Sequence, residues 1–106
     1  MNVSLVCGKI YRAVYLEVLS EGSLAPVAYI HLRAGENAFS LKDELCRTFS
    51  RLKWNTPLST ADFEISEDDS LDKDTLKIDC VEEFYDDETC TAKKYPVQND
   101  NVVSCV

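Results

Sequence analysis

Two hydrophobic periods divide the chain. From Val3 to Val18 apolar residues recur at alternate positions: Val3, Leu5 and Cys7 in VSLVC, then Ile10, Val14, Leu16 and Val18 against Tyr11, Ala13, Tyr15 and Glu17. A period of two marks a half-buried strand, so the stretch predicts two strands. Gly8-Lys9 between them fits a two-residue hairpin turn, the first expectation, or a bulge in one bent strand. After the turn residues SEGSLAP, VAYIHLRA predicts a third strand, with Ala28, Ile30 and Leu32 on one face and Tyr29, His31 and Arg33 on the other.

The period then changes. Leu41, Leu45, Phe49 and Leu52 recur at helical spacing, Ser40 with Asp43 makes a capping-box variant, and Asn55-Thr56-Pro57 closes the segment. An amphipathic helix is expected from Leu41 to Lys53, with acids in its first turn and bases towards its end. Alternation returns in ADFEIS and TLKIDCV, which predict two more strands joined by the loop EDDSLDKD. Beyond Tyr85 the period is lost, and residues 86–106 read as a flexible or partner-ordered tail.

These elements specify an α+β fold: a mixed sheet of about five short strands with one amphipathic helix packed on it, in a single domain over residues 1–85. The order hairpin, helix, further strands resembles that of β-grasp domains. The second expectation is another two-layer α/β sandwich.

At 106 residues and 45% hydrophobic content the chain can bury one core without metals or disulfides. It holds no run of eighteen apolar residues and no basic leader before Gly8, so neither a membrane span nor a signal peptide is expected. The five cysteines, Cys7, Cys46, Cys80, Cys90 and Cys105, include no C-x-x-C pair and no zinc spacing. A reducing intracellular compartment, cytoplasm or nucleus, fits that set. Cys7, Cys46 and Cys80 occupy apolar positions of their elements, whereas Cys90 and Cys105 fall in the expected tail and read as exposed.

Charge adds a regional feature. Residues 1–61 hold seven Lys/Arg and five Asp/Glu, residues 62–88 two and thirteen, and residues 89–106 two and one, giving +2, −11 and +1 within a total of −8. A block this acidic opposes direct binding of nucleic acid or of an anionic membrane.

Catalytic and metal chemistry find little footing. His31 is the only histidine, and a Cys-His-Asp site would have to draw a core cysteine out of the core. The three glycines, Gly8, Gly22 and Gly35, stand singly at turns and make no phosphate loop. Asp68, Ser70, Asp72, Asp74 and Asp79 fall at calcium-loop steps, but Lys73 occupies the step that needs glycine and strands flank the loop where helices should. No cofactor, metal or enzymatic activity is expected.

A binding surface is expected instead. Asp62, Glu64, Glu67, Asp68, Asp69, Asp72, Asp74, Asp79, Glu82 and Glu83 form an acidic strand-loop-strand face, and concentrated charge of this kind steers basic partners. The expected function is non-catalytic protein binding to a basic surface. The alternative is a small acidic mimic of nucleic acid that occupies a DNA- or RNA-binding groove, as viral counter-defence inhibitors do. Two further features could bind: Ser104 with Val106 matches the end that PDZ domains capture, and Arg47, Arg51, Lys53 and Trp54 could form a basic and aromatic patch.

Overall fold

The largest departure from the sequence pattern lies at the start. In the computed structural model, which describes residues 2–106, Val3–Glu21 is one helix, α1, and not a strand pair. The Asn2 side chain caps it by accepting from the Leu5 N–H at 3.0 Å, and Gly22 ends it in the left-handed region at φ 72°. The buried set Val6, Cys7, Ile10, Ala13 and Val14 repeats at helical spacing. Cys7, Ile10 and Val14 belong to both periods, which is why alternation misled; Ala13 and Leu16 separate them, since the helix buries Ala13 and exposes Leu16. The β-grasp comparison rested on the missing hairpin.

Gly8 therefore sits inside a helix, where glycine costs about 1 kcal/mol relative to alanine. A Cβ built there meets nothing within 4 Å. Gly8→Ala should raise stability by about 0.5–1 kcal/mol in a denaturant titration; a Gly-X hairpin turn would lose stability instead.

The remaining predicted elements appear in place. Strand β1 is Val27–Ala34, helix α3 is Lys42–Leu52 after the single turn α2 (Glu36–Phe39), and strands β2 and β3 are Asp62–Glu67 and Thr75–Glu83. The expected capping box is not used. Ser40 ends α2, its hydroxyl donating to the Asn37 carbonyl at 2.6 Å, and α3 starts after Leu41 without a side-chain cap.

The expected tail is also corrected. Lys94–Pro96 (β4) and Val102–Ser104 (β5) both pair antiparallel with β3, because Tyr95, Val97, Val103 and Cys105 are apolar enough to bury. Composition hid these strands, since each is three residues long.

The five strands make one mixed sheet in the order β2-β1-β3-β4, with β5 beside β4 along β3. Strands β1 and β2 run parallel, a pairing that needs a crossover, here supplied by α2 and α3. Helix α1 packs on α3 and against β5, and α3 packs against β2. The helices cover one sheet face. Between them lie Ile10, Val14, Leu45, Phe49, Ile30, Leu32, Leu76 and Ile78, all buried, and Phe49 stacks on Phe63 with centroids 4.1 Å apart.

The cysteines divide differently from expectation. Cys7 is buried and its thiol is pushed up to about 11, mainly by that burial. Cys46 and Cys80 are half-buried, Cys105 is buried and Cys90 is exposed. Among the described residues no helix is long and apolar enough to cross a membrane.

Candidate functional site

The second sheet face carries no covering layer. Alternation along β1 turns Tyr29, His31 and Arg33 to it, and the parallel register sets Asp62, Glu64 and Ser66 of β2 beside them. In β3 the register slips between the pairs His31–Cys80 and Leu32–Ile78. The extra residue is Asp79, so a bulge turns both Asp79 and Cys80 outward.

This face is organised by Arg33. Its Nε lies 2.9 Å from both carboxylate oxygens of Asp79, and a terminal nitrogen donates to Asp68 Oδ2 at 2.6 Å. Those bonds, Asp79 first, push the guanidinium further up. Asp68 is held below the usual carboxylate range, first by Ser70, whose hydroxyl and N–H donate at 2.6 and 2.9 Å, and then by Arg33. Further along the same two strands, Glu82 of β3 meets His31 Nε2 of β1 at 2.8 Å, and Lys94 Nζ of β4 at 3.5 Å. Its carboxyl is lowered, first by the His31 hydrogen bond.

The acidic block is thus sorted into roles. Asp68 and Asp79 share the one charge of Arg33 on the open face, Glu82 is held by His31 and Lys94, and Asp62 pairs with Lys53 Nζ at 2.9 Å. Glu83, expected on the surface, is buried: a second slip pairs it with Val27, on the helix side of the sheet. Among the described residues, Glu64, Glu67, Asp69, Asp72 and Asp74 enter no ion pair. Asp74 accepts from the Asn37 amide at 2.9 Å. With Lys73 and Lys77, also outside ion pairs, and with Asp68 and Asp79 sharing the one charge of Arg33, the seven acids leave four negative charges in excess at one end of β3.

That end is rigidly held. The Gly35 N–H donates to the Thr75 carbonyl at 2.9 Å, and the Asn37 and Ala38 N–H groups converge on the Lys73 carbonyl at 2.9 and 3.1 Å. The Lys73 carbonyl so occupies the donor end of α2 that no side chain caps. Further bonds run from Asp68 N–H to the Ala34 carbonyl at 2.8 Å and from Cys105 N–H to the Asp74 carbonyl at 2.7 Å. Gly35 admits this approach. A Cβ there would overlap the Asp72 carbonyl oxygen and lie 2.8 and 2.9 Å from the carbonyl carbons of Asp72 and Lys73.

Asp86, Asp87 and Glu88 lie at the opposite end of β3, a separation of roughly 25–30 Å over its nine residues. One acidic run in sequence becomes two ends in space. Asp68 and Asp79, at calcium-loop steps, converge on Arg33, and among the described residues no three metal-ligating side chains come together.

The other two expected features are placed otherwise. Ser104 pairs with Thr75 in the sheet and Cys105 is buried, leaving Val106 89% exposed; capture by strand addition would have to peel β5 away. In the basic patch, Lys53 is committed to Asp62 and the Ala61 carbonyl. Arg47 and Arg51 are exposed on α3, and Trp54, at 78% exposure, does not close the core edge.

The sequence pattern hid the roles of three residues, Arg33 and Gly35 at this site and Glu83 at the far end of β3. Arg33 was visible only as one outward polar position, because the bulge that brings Asp79 to it has no local signature. Gly35 looked like an ordinary turn glycine, and Glu83 like one more surface acid. Comparison of the chain with protein-family models, with curated proteins and with solved structures finds no match in any of the three.

Proposed function

We propose that the chain is a non-catalytic protein-binding module that meets a basic partner through the β2–β3 end of its sheet, with Glu64 on the open face and Glu67, Asp69 and Asp72 at the exposed strand end and loop as the principal contacts. The observation that carries this reading is the combination of exposed acids outside ion pairs with a loop backbone tied to Gly35, Asn37 and Ala38. A held loop loses little conformational freedom on binding, so charge complementarity is realised as affinity and association rate. A phosphate mimic needs an unbroken row of free acids. Arg33, His31 and Lys94 interrupt the row here, which favours a basic protein surface over a groove built to follow a phosphate backbone.

An extended peptide carrying four alternating lysines is a direct probe. Its binding should shift the amide resonances of residues 64–74, and affinity should fall by about tenfold between 50 and 200 mM salt. Shifts spread over the whole surface, or insensitive to salt, would count against the assignment.

A further inference from the structure

A cavity of about 310 Å³ lies at the opposite end of β3, between the 23–26 turn and the 86–91 loop. Its wall includes Glu83, Phe84, Asp86, Thr91 and Lys93. Glu83 is only 5% exposed, and its Oε2 is fully buried with no hydrogen-bond partner. A carboxyl group so placed lacks a hydrogen-bond donor, and burial without a partner costs far more than burial with one. Lys93 lies close enough to interact with Glu83 through charge, but its Nζ makes its bond to Glu21 Oε1 at 2.7 Å and no hydrogen bond to Glu83.

We infer that this cavity is a binding site for a small organic cation, a primary ammonium group on a short apolar chain. The ammonium donates to the Glu83 carboxylate, with Asp86 adding negative charge and the Thr91 hydroxyl, bonded to Thr89 Oγ1 at 2.9 Å, keeping a lone pair for a further donor. The apolar part lies along the exposed ring of Phe84. An anion would face two carboxylates. A bare metal ion would lack ligands, since no three metal-ligating side chains converge among the described residues. The site is independent of the β2–β3 acidic end, so either can fail without the other.

The test is an amide-resonance titration of the full chain with n-butylammonium chloride, with butanol and sodium butyrate as neutral and anionic controls. Saturable shifts in residues 83–93, with a dissociation constant on the order of 1 mM, are expected for the ammonium alone. Glu83→Gln, folded by its melting curve, should weaken binding about tenfold or more. Lys93→Met, which removes a neighbouring positive charge, should tighten it about threefold and decides the matter if Glu83→Gln does not fold. N-acetyl-lysine methylamide separates the sources of the group: binding as tight as butylammonium assigns the site to a lysine side chain, and its exclusion assigns it to a free amine. Equal shifts with butyrate, unchanged binding by folded Glu83→Gln, or weaker binding by Lys93→Met would overturn the inference.

Discussion

Replacing Gly35 with alanine should destabilise the fold by about 2–4 kcal/mol and loosen the acidic loop. The reason is close approach and not torsion, since φ at Gly35 is −65°, open to any residue. The added methyl would overlap the Asp72 carbonyl oxygen and crowd both neighbouring carbonyl carbons. Backbone atoms cannot swing aside as a flexible side chain can. Relief therefore means moving residues 72–73 outward, which breaks the bonds from Asn37 and Ala38 to the Lys73 carbonyl. Denaturant unfolding gives the loss, and faster hydrogen exchange at Gly35, Asn37 and Ala38 should accompany it. Wild-type stability with unchanged exchange would mean that the loop is not seated on Gly35.

The second large effect separates the two readings of the N-terminal segment. On a helix, Ala13 is 4% exposed and Leu16 48% exposed; on the alternating strand pattern Ala13 would face out and Leu16 in. Ala13→Asp should then cost about 1–3 kcal/mol, because it places a carboxylate at a buried position at the edge of the core, beside Val103 and Asp100, with Lys9 and Arg12 offering only partial compensation. Leu16→Lys should stay within about 0.5 kcal/mol of wild type. The reverse ranking, measured by denaturant midpoints, would restore the strand reading.

The parts of the fold legible in sequence are those where one period stands alone. In α3 the apolar set Leu45, Phe49 and Leu52 has no competing alternation, and in β1, β2 and β3 alternation has no competing helical set. The segment 3–21 satisfies both periods, and β-branched or aromatic residues such as Val3, Tyr11, Val14 and Tyr15 tilt a local reading towards strand. Helix wins because burying Val6, Ile10, Ala13 and Val14 against α3 and the sheet is a tertiary gain that local propensity does not contain. For the site, composition located the acid but not its partners. Which carboxylates are neutralised depends on the register of β1 against β3 and on a bulge at Asp79, and both are set by contacts between segments more than forty residues apart in the chain.

The assignment of the β2–β3 end as the binding surface is tested most directly with two charge-matched variants. One carries Glu64→Gln, Asp69→Asn and Asp72→Asn; the other carries Asp86→Asn, Asp87→Asn and Glu88→Gln at the far end of β3. Each removes three exposed negative charges, so a general effect of net charge is the same in both. Partner capture from a host lysate, compared at low and moderate salt, should be lost in the first variant and kept in the second. Equal loss in both, or retention by the first, would contradict the assignment.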